Sequence, residues 1–216
     1  MNFILALFLT FQSDSTTLNW ERVTVDDLLT VELPSNFERT DTLGQTVFYA
    51  EANYSVITLS RVPESAIPQV DRITSSSTEE LRKLYTGFQN GTIKGSQGEV
   101  VDSQDVLIDS LSARVFRTDY NNGETKFNQL ILVRDKIYFA TVWFNTEHLE
   151  LVEIEIARYF NSFQFDVIPS NQLRPARLED STSYKIGELL GTIIGYALIP
   201  GTIILIVILI RRKKKK

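Results

Sequence analysis

The chain holds one histidine, His148. It stands between Glu147 and Glu150 where a helix is expected to open. An imidazole there could ligate a metal or act as a general base. A zinc centre needs three or four protein ligands, and a base needs a nucleophile beside it. The chain has no cysteine and no second histidine, so His148 reads as part of a solvated helix start. Asp102, Asp105 and Asp109 could hold a hard cation if their oxygens converged. They lack the glycine and distal glutamate of a calcium loop and read as ordinary acidic residues. Ser75, Ser76 and Ser77 offer hydroxyls without the G-x-S-x-G turn that exposes a nucleophile. Gly91, Gly95 and Gly98 do not join a strand to a helix as a phosphate loop does, and are expected to end a helix and turn the chain. The sequence therefore offers no catalytic residue, no cofactor site and no metal site.

A different pattern lies near the C-terminus. Gly187, Gly191 and Gly195 recur every fourth residue, which puts them on one face of a helix. Glycines so spaced let two backbones approach closely. They are the candidate helix-association residues, pairing with a second copy or with another span. The surrounding run sets their context. Leu189 to Ile210 carries no charged residue. As a helix it would extend roughly 33 Å, which matches the hydrocarbon thickness of a bilayer. Arg211, Arg212 and Lys213 to Lys216 follow and mark a cytoplasmic flank. Residues 186–210 are thus expected to form one transmembrane helix, with 211–216 as a basic cytoplasmic tail.

The other end sets the orientation. Phe3 to Phe11 is an apolar run long enough for a signal peptide and too short to span. Small polar residues follow at Ser13 and Ser15. Residues 1–15 are read as a signal peptide, which makes the chain a single-pass type I membrane protein with its main domain outside the cytoplasm, in a periplasm. The competing topology is a tail anchor with a cytosolic domain. It would carry six cations across the membrane, against the positive-inside bias.

Residues 17–168 are enough for one domain with its own core. Net charge is −5, and without the six terminal cations residues 1–210 carry −11. Phosphate backbones need a basic surface, so nucleic acid is excluded as a partner. The absence of cysteine excludes a disulfide framework and thiolate chemistry.

The periodicities predict an α+β domain. Strands are expected over Leu29–Leu33 before Pro34, Gln45–Ala52, Tyr54–Val62, Glu99–Ile108, Leu111–Tyr120, Lys126–Arg134 and Lys136–Phe144. Asn122-Gly123 is a hairpin signal. Leu130–Val133 and Ile137–Phe144 are apolar on both faces, as in strands covered on both sides. Thr78 caps a helix whose stripe is Leu81, Leu84, Tyr85 and Phe88. A second helix starts near Thr146 and turns Leu149, Val152, Ile156 and Phe160 inward. Residues 169–184 are a polar linker.

Trp20, the Val31-Glu32-Leu33-Pro34 and Tyr49-Ala50-Glu51 strands, Leu84-Tyr85 and the closing Ala157-Arg158-Tyr159-Phe160-Asn161-Ser162-Phe163 follow one another in a distinctive order. Over about residues 18–167 the chain resembles the PsbP-like superfamily, which shares its fold with the yeast Ran-binding Mog protein. The resemblance implies an antiparallel sheet sandwiched by helices, an α/β/α arrangement. It also implies action by binding, and it supplies no catalytic residue. The expected protein is thus a membrane-anchored, non-catalytic binding or accessory module. Its expected partners are the membrane and a protein or second copy met through the span. The alternative from a different class is an enzyme with an unrecognised site. A deep pocket lined by aspartate, serine and His148 would favour chemistry, and an exposed apolar groove would favour a partner.

Overall fold

The computed structural model describes residues 18–42, 45–63, 78–134, 136–172 and 187–192. The signal-peptide reading of residues 1–15, Ser75 to Ser77, and residues 193–216 of the span and tail lie outside them. Among the described residues no helix is long and apolar enough to cross a membrane.

The architecture is α+β and all strand pairing is antiparallel. Strands β1 (Trp20–Thr24), β2 (Leu29–Pro34) and β10 (Gln164–Phe165) make a small sheet in the order β1-β2-β10. The large sheet joins β3 (Glu38–Thr42), β4 (Gln45–Glu51), β5 (Ser55–Pro63), β6 (Glu99–Ile108), β7 (Leu111–Asp119), β8 (Glu124–Val133) and β9 (Lys136–Asn145). Its order is β3-β4-β5-β9-β8-β7-β6, so β8 and β9 are central. That position is why Leu130–Val133 and Ile137–Val142 are apolar on both faces. All of those side chains are buried, and apart from Thr141 and the Tyr138 hydroxyl they are apolar.

Each face has its own cover. Helix α1 (Thr78–Ser96) lays Leu81, Leu84, Tyr85 and Phe88 on Val62, Phe116, Leu130, Leu132, Ile137 and Phe139. Helix α2 (Leu149–Asn161) and the small sheet close the opposite face around Ile57, Leu59, Ile131, Tyr138 and Val142. The expectation of one sheet between helices is therefore corrected in one respect: half of the second cover is a β-sheet. Of the predicted inward stripe of α2, Val152 and Phe160 are buried, while Leu149 and Ile156 pack partly against the cluster. Tyr159, also fully buried, donates its hydroxyl to the Thr58 carbonyl at 2.9 Å.

Helix α1 does not stop at its glycines. It continues through Gly91 and Gly95 to Ser96, and Gly87, Gly91 and Gly95 are all buried. At Gly91 the small size is used in packing, which offsets the helix cost of glycine, about 1 kcal/mol. The chain after α2 is also tied down further than its polarity suggests. Gln172 is buried, donates its amide to the carbonyls of Ser112 and Leu132, and accepts from the Ser112 N–H.

One buried group breaks the pattern. Gln129 on β8 is 1% exposed, yet neither amide atom has a hydrogen-bond partner among the described residues. A buried amide left unpaired costs about 1–3 kcal/mol. Gln129→Met keeps the volume and removes the polar atoms. It is expected to raise unfolding free energy by about 1–2 kcal/mol in denaturant titration. An equal loss would show that the amide is satisfied.

Candidate functional site

The end of the large sheet where β9 finishes is open. The β4–β5 turn stands on one side of it and the β7–β8 hairpin on the other. Between them lies a cleft of about 560 Å³. Its walls include Tyr49, Glu51, Tyr54, Glu124, Trp143 and His148.

Local chemistry fixes each wall. Glu155 of α2 is 7% exposed and grips the β4–β5 turn. Its Oε1 accepts from the Asn53 N–H at 3.0 Å, and its Oε2 accepts from the Ser55 hydroxyl at 2.6 Å. Tyr54 is thereby held outward, 47% exposed, with its ring edge-on to His148 at 5.6 Å between centroids. On the other side Gly123 takes a φ of 80°, the left-handed turn geometry that suits glycine. Its carbonyl accepts from the N–H and the hydroxyl of Thr146 at 2.8 and 2.9 Å, pinning the hairpin to the end of β9. Asn145 caps the next turn by accepting from the Glu147 N–H at 3.0 Å.

Trp143 of the cleft wall already carries a cation on its ring, from a residue that does not itself line the cleft. The Lys126 ammonium lies 4.5 Å from the Trp143 ring centre and 4.9 Å from that of Tyr120. Burial pushes the Lys126 pKa down. Burial also pushes Tyr49 up, to about 12, reinforced by the charge of Glu51. Tyr49 therefore stays neutral at neutral pH and is not a poised acid or base.

The residues considered from sequence are scattered. His148 reaches the cleft, but among the described residues its ring enters no ion pair or hydrogen bond. Asp102 is exposed on β6. Asp105 is bound by Arg114 at 2.7 Å and Arg82 at 3.0 Å. Asp109 sits at φ 48° in the β6–β7 turn and accepts from the Phe165 N–H at 2.6 Å. The three carboxylates do not converge. Among the described residues no group of three or more histidine or acidic side chains is placed to hold a metal. Gly98 permits a close approach, since a Cβ there would lie 2.4 Å from Thr118 Cγ2.

Gly187 and Gly191 have a definite place. Segment 187–192 is helical and lies on α1 of the same chain, a partner that the spacing alone did not indicate. A Cβ added at Gly187 would meet the Leu84 carbonyl oxygen at 2.1 Å and the Phe88 nitrogen at 2.7 Å. One at Gly191 would meet the corresponding atoms of Phe88 and Thr92 at 1.9 and 2.7 Å. One at Gly91 would meet the Glu188 oxygen at 2.0 Å. Contact positions rise together along both helices, so the two run parallel. Leu190 is 2% exposed in the α1 cluster, and Lys94 lies 3.6 Å from Glu188. Gly195 lies outside the described residues.

The cleft was not legible from any motif. Its walls come from three turns distant in sequence, and the one available signal was the aromatic content of the strand ends.

No known family model matches the sequence, and no curated protein does. The chain is similar to cyanobacterial PsbP (CyanoP) of Synechocystis sp. PCC 6803, with 14% identity and a TM-score of 0.47 over 73% of this chain and 98% of that one. It is also similar to PA94 of Pseudomonas aeruginosa, a protein of unknown function described as a putative regulator. There the identity is 12% and the TM-score 0.41, over 74% of this chain and 99% of the other. These are likenesses only.

Proposed function

We propose that this chain is a single-pass membrane-anchored binding or accessory module, with its folded domain outside the cytoplasm and no catalytic role. The observation that carries the binding role is the cleft itself. Its walls are braced by Glu155 and Thr146, and it presents aromatic rings and two carboxylates. A braced cleft that combines aromatic rings with placed polar groups suits recognition. Catalysis by acid–base or nucleophilic attack would need a base beside a nucleophile, and the His148 ring meets Tyr54 instead.

Anchoring is supported by the uncharged run to Ile210 and the six cations after it. The glycine seam adds that the start of this run is packed onto the domain, so the domain would stand directly on its anchor. A protein partner or second copy would meet the remaining faces of the span.

Topology is the direct test. Protease added to intact spheroplasts is expected to digest the domain of residues 17–183 and leave a short C-terminal stub. Full protection of the domain would overturn the extracytoplasmic reading and favour a tail anchor.

A further inference from the structure

The parallel seam gives the cleft a direction. The Tyr85 hydroxyl donates to the Ser112 carbonyl near the start of β7. The Tyr120 hydroxyl, just past the end of β7, donates to Ser96 at 3.2 Å. Helix α1 therefore runs from the β6–β7 turn toward the β7–β8 hairpin, the end of the sheet that holds the cleft. Segment 187–192 runs the same way along α1. Eighteen uncharged residues follow it, 193–210. As a helix they would extend about 27 Å, close to one hydrocarbon thickness. A span leaving the domain in this direction sets the cleft end against the bilayer surface. Tryptophan and tyrosine favour that level of a membrane, and Trp143, Tyr49, Tyr54 and Tyr120 all cluster at this end.

The cleft's chemistry selects the occupant. Aromatic faces and carboxylates attract alkylammonium cations, and quaternary ammonium groups are bound in such cages. Glu51 is exposed in one wall and Glu124 half-exposed in the other. Lys126 already takes one face of Trp143, so an incoming ammonium group is left to Tyr49, Tyr54 and the two carboxylates. Acidic walls disfavour an anionic headgroup. We propose that the cleft holds the ammonium group of a zwitterionic phospholipid head, taken from the bilayer that carries the span. This rests on the membrane anchoring proposed above.

The test uses the full chain in nanodiscs, with Trp20→Phe leaving Trp143 as the sole tryptophan reporter. The probe is phosphatidylcholine bearing a nitroxide on its headgroup nitrogen, in a phosphatidylglycerol host. Strong quenching of Trp143 is expected. Unlabelled phosphatidylcholine should relieve it, and added phosphatidylglycerol should not. Glu51→Gln and Tyr54→Ala lie on exposed positions and leave the core intact. Each is expected to weaken the preference for the choline head roughly five- to ten-fold. No quenching from a chain that resists carbonate extraction would place the cleft away from the bilayer, overturning the proposal while leaving anchoring intact. Release by carbonate would overturn both. Quenching relieved equally by either lipid, and unchanged in Glu51→Gln, would reject ammonium recognition. Shielding of Trp143 in native membranes but not in pure-lipid discs would assign the cleft to a protein and likewise reject the lipid.

Discussion

Gly91→Ala will destabilise the full chain by about 2–3 kcal/mol, although the same exchange in an open helix stabilises by about 1 kcal/mol. The sign reversal comes from the seam. The new methyl group would lie 2.0 Å from the Glu188 carbonyl oxygen and 2.7 Å from the Thr192 nitrogen. Both are backbone atoms of a helix, so no side chain can swing aside. The two helices must separate, and Leu190 loses a buried position worth about 2 kcal/mol. Denaturant unfolding in mild detergent reads the change. Hydrogen exchange should show segment 187–192 losing protection. Lys83→Ala, exposed on the same helix, should do neither. Gly191→Ala breaks the same contact, since its methyl group would lie 1.9 Å from the Phe88 carbonyl. The double variant should therefore cost less than the sum of the two. A stabilised Gly91→Ala chain would mean the α1 face is open and the seam is not formed.

That reversal also shows where sequence reasoning reached its limit. Period-two alternation and the apolar runs of β8 and β9 revealed the centre of the sheet, because burial on both faces leaves no polar positions. The stripe Leu81, Leu84, Tyr85, Phe88 revealed α1 for the same reason. Its second face was hidden. Gly87, Gly91 and Gly95 carry no side chain to bury, so their burial leaves no hydropathy trace. Local propensity then reads Gly91 and Gly95, with Gly98, as a helix end. Gly187 and Gly191 were recognisable as a close-packing face, but spacing alone cannot say which helix fills it. Strand β3, Glu-Arg-Thr-Asp-Thr, is a polar edge strand and has no inward face to give it a period. Glu155 anchors the β4–β5 turn across a separation of about a hundred residues. Such contacts are set by topology, and only the fold discloses them.

The turn between β1 and β2 holds the second large expected effect. Asp26 there joins the small sheet to β5 and β9 of the large one. Its Oδ1 accepts from the N–H groups of Leu28 and Leu29 at 2.9 and 3.1 Å. Its Oδ2 accepts from the Tyr138 hydroxyl at 2.9 Å and lies 3.2 Å from the Lys136 ammonium. Arg61 Nε is 2.7 Å from the same oxygen, an ion pair whose N–H is turned off the line of a hydrogen bond. The side chains of Asp26 and Lys136 are 10% and 13% exposed. Asp26→Ala strips this carboxylate from two cations, and among the described residues Lys136 keeps Asp27 as its ion-pair partner. Removing one partner of a buried charge cluster costs about 3–5 kcal/mol, and that loss is expected here. Asp26→Asn retains an acceptor for the turn amides and should cost less.

The pH dependence gives the sharper test. Burial pushes the Asp26 carboxyl up. The Leu28 N–H, the Tyr138 hydroxyl and Lys136 outweigh it, and the folded pKa is lowered. A lowered pKa means the unfolded chain binds this proton more readily, near its ordinary value of about 3.9. The stabilisation is therefore complete above that value and is lost as pH falls through the folded one. Asp27, Glu32, Asp41 and Asp119 are also lowered, so the total curve is shared. The difference between wild type and Asp26→Asn isolates one carboxyl. It should be constant near neutrality and shrink below about pH 4. Unfolding free energies that stay parallel from pH 7 to pH 3 would show that Asp26 titrates alike in both states and that its cluster does not hold the two sheets together.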